Sequence, residues 1–508
     1  MLNVVIRVDA SVYIGSGHVM RCLVLAQALK SAGHVVVFAS RPQHGDLITL
    51  IKQRGFIVHS LTQPTAWLIP SSNADYKSWL QLTEREDAQE CATAFDKVDL
   101  VITDHYGIGA LWHEIIRKAY NSKILAIDDL VRKHAADLII DQTLLRKTCE
   151  YQALNPSANI LTGIDYAIIN SRFAQQHDAQ LAVPSQLPIS PRVLLSMGGI
   201  DEPNATLQVL EVLSKQSTVP PFVTVLLSSR APHYSAVVAF AKQHSSWLTH
   251  IDFVHDMAPL MAEHNIAIGA PGSTSWERAC LGLPSIVIAL AENQQTICKN
   301  LTQVGAAISV KLSEINSSLM PAYAQLVANY AQMRGVNLQL CDGMGVDRIM
   351  KHITQLMRGC IKLEVATSAD VDQVFDWQCA PQTRRFALNK AIPCLTEHQT
   401  WMARKLASDS DYFYMIKLTP LKCNVAVSVG VVRLDMTKEN TYTISIFIAP
   451  EYYGKGFAKS ALGQVDKLHP TAVINAVVLK ENTASQALFS SAGYQRIKEQ
   501  HFTRQPVS

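Results

Sequence analysis

From the first residues onward, short runs rich in valine and isoleucine alternate with amphipathic segments, and this rhythm constrains the fold more than any other feature. LNVVIRV leads into the helix-like VMRCLVLAQALK ending at Gly33, then HVVVFAS, DLITLIKQRG and FIVHSL. Strand-length apolar runs separated by helix-length amphipathic stretches are βαβ units, whose parallel strands are buried on both faces. The pattern continues through DLVITD, a helix near Leu111 to Ala119, KILAIDD and ADLIID. One parallel sheet covered by helices is therefore predicted for residues 1–185. PSQLPISP, residues 184–191, reads as a proline-punctuated linker. After it the plan restarts, with PRVLLSM, FVTVLLSS, HIDFV, IAIGAP and PSIVIAL as strands and a long helical tail from about Leu312 to Arg358. A second lobe is predicted for residues 191–358. Beyond Gly359 the order changes: IKLEVATSADVDQVFDW opens a strand and helix, YFYMIKL and VAVSVGVVRL follow as strands, and TYTISIFIA runs into a glycine-bearing turn. That order predicts a separate α/β domain over residues 360–508.

Composition agrees with several packed cores. The chain has 508 residues, 48% hydrophobic and 17% charged, which excludes a disordered chain and exceeds one ordinary core. Its 45 basic and 42 acidic residues are interspersed, so no nucleic-acid partner is expected. The ten cysteines show no CxxC pair and no His/Cys cluster at zinc spacing, arguing against a disulfide framework or a structural zinc. Reduced thiols fit a cytoplasmic protein. The opening MLNVVIRVDA lacks the features of a signal peptide, and the longest apolar runs, such as Leu283 to Ala291, fall far short of the roughly 20 residues of a membrane span. No stable membrane insertion is expected.

Ligands of parallel sheets bind beyond the carboxyl ends of the strands, so the loops there are where chemistry is expected. The first strand ends in Ile14-Gly15-Ser16-Gly17-His18 and runs straight into a helix. Glycines admit a ligand close to the backbone, and the free N–H groups of the helix start favour an anion. A dinucleotide fingerprint would need a third glycine where Met20 stands and an acid where Ser40-Arg41 stand, so nicotinamide cofactors are disfavoured. His18 is titratable near neutrality and suited to taking a proton from water, although a capping or core histidine fits the same position. In the second lobe Gly198-Gly199 follow one strand, and Pro271-Gly272-Ser273-Thr274-Ser275-Trp276-Glu277 follow another and enter a helix. Hydroxyls and N–H groups at that start suit a diphosphate, and Glu277 suits two ribose hydroxyls. Glu292-Asn293-Gln294-Gln295 follow the next strand, and their amides suit sugar hydroxyls or acetamido groups. Together these describe a nucleotide-sugar site.

Residues RVDAS-x3-GSGHVMRCLVLA, ITDHY around Asp104, AIDDL and DLIIDQT around Asp128 and Asp141, SMGGID and GAPGSTSWE resemble the two-lobed GT-B glycosyltransferase architecture. Within it they resemble the UDP-sugar hydrolases of pseudaminic acid synthesis. The likeness spans nearly all of residues 1–358. It implies cleavage of UDP-2,4-diacetamido-2,4,6-trideoxy-β-L-altropyranose to the free sugar and UDP, with inversion and without a metal, and places the catalytic histidine on His18. UDP-sugar binding then falls to Gly15, Gly17, Gly199, Ser273, Thr274, Glu277, Asn293 and Gln294. Asp104, Tyr106, Asp128 and Asp129 are candidates to touch the sugar or orient His18, and equally suit caps and loop anchors.

In the last domain, TYTISIFIA meets Pro450-Glu451-Tyr452-Tyr453-Gly454-Lys455-Gly456-Phe457-Ala458-Lys459 before a helix. A splayed strand followed by a glycine-bearing helix start presents N–H groups to a pyrophosphate. The segment resembles acetyl-CoA-dependent GNAT acetyltransferases: Gly456 and Ala458 match the R/Q-x-x-G-x-G/A pattern, with Tyr453 at its leading position. INAVVLKEN-x2-SQALFSSAGY supplies the next strand, Asn482 and the closing Gly493-Tyr494 pair. The resemblance gives acetyl-CoA as co-substrate, bound at Ile448, Lys455, Gly456, Ala458 and Asn482. Phe489 stands where many relatives carry a proton-donating tyrosine, so no general acid is assigned, with Tyr494 and Glu481 as weak substitutes. DWQCAPQTRRF and Glu397-His398-Gln399-Thr400-Trp401 resemble the amino-sugar subgroup, which implies acceptor contacts from Arg384, Arg385, His398 and Trp401, positions that surface charge and core packing also explain. The implied reaction is acetylation of the 4-amino group of UDP-4-amino-4,6-dideoxy-N-acetyl-β-L-altrosamine. The fold class expected is thus α/β, two Rossmann-like lobes in GT-B arrangement followed by a GNAT domain. A glycosyltransferase using another acceptor, or a sensing protein with an inactive domain, remain the alternative readings.

Overall fold

The computed structural model describes residues 1–72, 74–215, 221–357, 359–419 and 426–507, with the side chains of Asn293 and Cys360 also outside the described part. Two compact units divide the chain, Met1–Ile353 and Thr354–Ser508.

The first unit contains two parallel sheets. One has seven strands, β1 (Asn3–Val8), β2 (Val35–Ser40), β3 (Ile57–Ser60), β4 (Leu100–Asp104), β5 (Lys123–Ile127), β6 (Leu138–Asp141) and β7 (Asn159–Thr162), in the order β3-β2-β1-β4-β5-β6-β7. Strands such as VVIRV and LVITD are buried along their length, as helices on both faces require. The order reverses between β1 and β4, and Val8 lies in register with Asp104. The loop leaving β1 therefore starts beside Asp104, at the switch point where open parallel sheets hold ligands.

The second sheet has six strands, β8 (Arg192–Ser196), β9 (Phe222–Leu226), β10 (Leu248–Ile251), β11 (Ile266–Gly269), β12 (Ser285–Val287) and β13 (Ala307–Ser309), in the order β10-β9-β8-β11-β12-β13. Its switch point lies between β8 and β11, whose following loops are the SMGG and APGS segments. The strand placed on HIDFV sits two residues earlier, at LTHI. The expected helical tail is three helices, Ile315–Ala328, Tyr330–Leu340 and Gly345–Leu356. The last returns to the first lobe, where Arg348 donates to the Asp165 carbonyl at 3.0 Å and His352 lies 3.3 Å from the Asn159 amide.

The second unit is one mixed sheet, β14 (Cys360–Val365), β15 (Tyr412–Thr419), β16 (Val427–Lys438), β17 (Thr441–Ile448), β18 (Val473–Val477), β19 (Gln495–Lys498) and β20 (His501–Arg504). Its order is β14-β15-β16-β17-β18-β20-β19, with β17 and β18 the parallel pair. Helices Val371–Cys379 and Leu395–Leu406 pack one face around Met402, Phe413 and Met415, and helix Phe457–Leu468 packs the other around Ile444 and Ile474. Among the described residues no helix is long and apolar enough to cross a membrane.

Candidate functional site

The turn after β1 is built for a histidine at its exit. Gly15 has φ +77, in the left-handed region that favours glycine, and its N–H donates to the Ser11 carbonyl at 2.9 Å. Helix Gly17–Ser31 begins two residues later, placing His18 in its first turn. Its Nδ1 lies 2.6 Å from Asp104 Oδ1. Arg21, one turn along the same helix, grips the same carboxylate from Nε at 2.6 Å and Nη2 at 2.7 Å. Burial alone would raise the pKa of Asp104, but the charges of Arg21 and His18 hold it well below the usual carboxylate range. An ionised Asp104 only accepts, so Nδ1 carries the hydrogen and the Nε2 lone pair is left for other work.

A second layer fixes this pair. Arg21 Nη1 also donates to Asp129 at 2.8 Å, and the Tyr106 hydroxyl donates to the same oxygen at 2.6 Å. The Tyr106 ring meets His18 edge-on with centroids 4.7 Å apart, and Trp79 lies 6.3 Å from His18 while stacking on Tyr106. Asp128 is fully buried, bound by Arg132 at 2.8 Å and Tyr151 at 2.9 Å. Neither Asp104 nor Asp128 therefore presents a free carboxylate to a sugar. Asp104 spends its carboxylate on His18 and Arg21, and Asp128 spends its own on Arg132 and Tyr151. Tyr151 also bonds Asp141, which burial and the neighbouring Asp129 push up to about 6.

Across the cleft, a Cβ on Gly199 would lie 3.7 Å from Ser16 Oγ, so the SMGG loop faces the histidine turn. Helix Ser273–Cys280 starts after β11, and Ser273 Oγ accepts from Gln142 of the first lobe at 3.4 Å. Gly15, Gly17, Gly198 and Gly272 have open space where a Cβ would project, while Thr274 is exposed. The Glu277 carboxyl is pushed up to about 7 by burial, only partly offset by Arg278. Gln294 spends its side-chain oxygen on the Leu290 N–H at 2.8 Å, and the side chain of Asn293 lies outside the described residues.

In the second unit, β17 and β18 pair only from Thr441↔Val473 to Ile444↔Ala476, while β17 continues to Ile448. This divergence leaves the carboxyl end of β17 open on that side. Gly454 and Gly456 both have positive φ, and a Cβ on Gly454 would meet nothing within 4 Å. Gly456 caps helix Phe457–Leu468, so this backbone cradle fits a pyrophosphate and pantetheine arm. Lys455 donates to the Glu451 carbonyl at 2.8 Å, and Asn482 caps the next helix by accepting from the Ser485 N–H at 3.1 Å. Ala458 packs half-buried against the core, and Ile448 is buried. Of the acceptor candidates, Arg384 braces the carbonyls of Asn389 and Ala391 at 3.0 Å, and His398 is buried with Nε2 3.1 Å from the Val371 carbonyl. Arg385 lies over the Phe386 ring. Trp401 is half-buried, with the Arg433 guanidinium 5.0 Å from its ring. Phe489 sits in the core 5.0 Å from Tyr494. Among the described residues no cluster of His, Cys, Asp and Glu could hold a metal.

Residues 361–495 match the acetyltransferase (GNAT) domain model, and residues 203–336 match the glycosyltransferase family 28 C-terminal domain. The second unit is a GNAT domain. Two Rossmann-like lobes in GT-B arrangement precede it. The chain is 28% identical over 311 residues, 61% of its own length and 100% of the other, to the UDP-2,4-diacetamido-2,4,6-trideoxy-beta-L-altropyranose hydrolase of Campylobacter jejuni. It is 22% identical over 521 residues, 98% of both chains, to the uncharacterized protein MJ1062 of Methanocaldococcus jannaschii. The crystal structure of Acinetobacter baumannii MurG shares 16% identity, covering 70% of this chain and all of that one with a TM-score of 0.47. The two domain models and the match to the Campylobacter jejuni hydrolase mark an enzyme that combines a GNAT domain with a GT-B region.

Arg21, Tyr76 and Trp79 were not singled out in the sequence. Arg21 lies one helical turn after His18, which was the available signal; Trp79 reaches His18, and Tyr76 reaches Trp79 and Tyr106, through tertiary packing alone.

Proposed function

We propose that the chain is bifunctional. Its GT-B region hydrolyses UDP-2,4-diacetamido-2,4,6-trideoxy-β-L-altropyranose to the free sugar and UDP. Its GNAT domain acetylates the 4-amino group of UDP-4-amino-4,6-dideoxy-N-acetyl-β-L-altrosamine, which yields the substrate of the first reaction in the pathway to pseudaminic acid. The observation that carries the hydrolase reading is the 2.6 Å pairing of His18 Nδ1 with Asp104, which leaves Nε2 as a base at a glycine turn facing the second lobe.

In this reading His18 Nε2 takes a proton from water as its oxygen bonds to the anomeric carbon. The bond from that carbon to the diphosphate oxygen breaks, the electron pair leaves with UDP, and single displacement inverts the centre. Asp104, held by Arg21, stabilises the imidazolium that forms and fixes its orientation. Gly272, Ser273, Thr274 and Glu277 hold the UDP, with helix N–H groups facing the diphosphate. The residues need no metal for these steps. In the GNAT domain acetyl-CoA supplies the acetyl group, and the Gly454 to Ala458 cradle and the open end of β17 align it with the acceptor amine.

Turnover in ¹⁸O-labelled water tests the first half. Label is expected in the free sugar and not in UDP, and His18→Asn is expected to slow turnover by about 10² to 10⁴ with UDP affinity little changed. UDP release that requires an added acceptor would move the region to the glycosyltransferase reading.

A further inference from the structure

Between β3 and helix Glu84–Thr93 the chain makes a long excursion that closes over the histidine turn, and the fold pins it there. The side-chain amide of Gln81, itself buried with φ +65, bonds both backbone groups of Leu68 at 2.8 Å. Gln43 donates to the Trp79 carbonyl at 3.1 Å. Asp75 caps the short turn Tyr76–Trp79 through Ser78, whose hydroxyl donates to it at 2.8 Å. The Tyr76 carbonyl lies 2.7 Å from where a Cβ on Gly107 would stand, so the excursion rests directly on the loop after β4. The Gln81 and Gln43 anchors are side-chain to backbone hydrogen bonds, and with the Asp75 cap and the Gly107 contact they make this segment a fixed wall.

The wall is aromatic. Tyr76 meets Trp79 edge-on at 4.8 Å and Tyr106 at 5.1 Å, and those two rings in turn border His18. Trp79 and Tyr106 are buried at 5% and 7% exposure, so they support the imidazole, whereas Tyr76 is only half-buried and offers open ring surface. Burial raises the pKa of the Tyr76 hydroxyl, and the charge of Glu292, from the second lobe, adds to it. Tyr76 is thus the outer ring of the cluster, packed on Trp79 and Tyr106 and not part of the core behind them.

We infer that Tyr76 is a specificity-determining wall of the sugar subsite, its ring packing on the carbon face and 6-methyl group of a 6-deoxy sugar whose anomeric carbon lies at His18. The inference rests on the proposed UDP-sugar reading. An aromatic face rewards C–H groups and gives a 6-hydroxyl no hydrogen-bond partner to replace water. A pocket of this kind discriminates against one added hydroxyl by at most about 10²-fold, because it lacks polar groups left unpaired by the correct ligand.

Calorimetric binding in the His18→Asn background, where turnover is slow, tests this directly. The probes are the intact UDP-2,4-diacetamido-2,4,6-trideoxy sugar and its 6-hydroxy counterpart, with His18→Asn alone, with Tyr76→Ala added and with Tyr76→Phe added. The 6-deoxy ligand is expected to bind about 10- to 100-fold more tightly. Tyr76→Ala should bring that ratio to within about threefold of unity while UDP itself binds unchanged, and Tyr76→Phe should keep it. A ratio preserved in Tyr76→Ala, or lost equally in Tyr76→Phe, overturns the inference. If Tyr76→Ala unfolds, Tyr76→Leu, which keeps bulk but removes the ring, takes its place with the same expectations. The hydrolase reading is judged separately, by release of UDP from the 6-deoxy sugar by the wild-type chain, so the two can fail independently.

Discussion

Glu277 shows how a single residue couples folding, binding and pH. Burial pushes its carboxyl up to about 7, while the unfolded chain ionises near the ordinary glutamate value. The native state therefore keeps a proton that the unfolded chain has lost, so this residue's contribution to stability falls as pH rises from about 4.5 to 7 and is constant above. Binding runs the other way if the carboxylate accepts from ribose hydroxyls. Lowering pH from 7 to 6 should then weaken a UDP-sugar roughly fivefold, since an intact UDP-sugar does not itself titrate in that range. Calorimetry from pH 5.5 to 8 in the His18→Asn background would show this slope, and Glu277→Gln should flatten it while weakening binding at pH 8. A wild-type slope already flat would remove Glu277 from the ribose site. Glu277 and His18 could be nominated from sequence because each sits in a local motif, GSTSWE and GSGH. Arg21, Trp79 and Tyr76 could not be, because their significance is a contact: Arg21 matters through Asp104, 83 residues away, at 2.6 Å. Conversely Asp128, His398 and Arg384 have the residue types of a binding site, and the fold spends them on internal partners.

At the scale of elements the strong strands were readable and the weak ones were not. LNVVIRV and DLVITD are continuous apolar runs, whereas β7 (NILT), β13 (AIS) and the β19–β20 hairpin are edge or near-edge strands of three or four residues with polar members. Such strands are held by a neighbour's backbone more than by their own periodicity. The tail read as one long helix breaks at Asn329 and again over residues 341–344, because it must turn back to the first lobe. Gly345 sits at that return. A Cβ there would stand 2.2 Å from the Ala167 carbonyl oxygen and 2.6 Å from the Ala167 nitrogen. Helix propensity alone favours alanine over glycine by about 1 kcal/mol. Overpacking against backbone, which cannot swing aside as a side chain would, costs about 1–3 kcal/mol and should win. Gly345→Ala is thus expected to lower the urea midpoint of unfolding, and an unchanged or higher midpoint would show that this junction is free to shift.

At the scale of the whole molecule, the first compact unit has two sheets and the second has one, and each unit has its own cores and its own candidate site. The match to MJ1062 extends over 98% of both chains, and in the proposed reading the product of one site is the substrate of the other. Chemistry of that kind needs no shared catalytic residue. Gly456 offers the sharpest test of separateness, because its effect is local: its φ of +75 lies where residues with a side chain are strained, and it caps the start of helix Phe457–Leu468. Gly456→Glu would strain that turn, fill the cradle and set a carboxylate against a pyrophosphate. Acetyl transfer to the 4-amino sugar should fall by roughly 10²-fold or more. Gly456→Ala, which adds strain of about 1–3 kcal/mol but no charge, should fall less. Release of UDP from the already acetylated sugar should stay within about twofold of wild type in both, as independent sites require. If folded Gly456→Glu protein lost both activities, the two sites would be coupled, and the independence argued from their separate cores would be wrong.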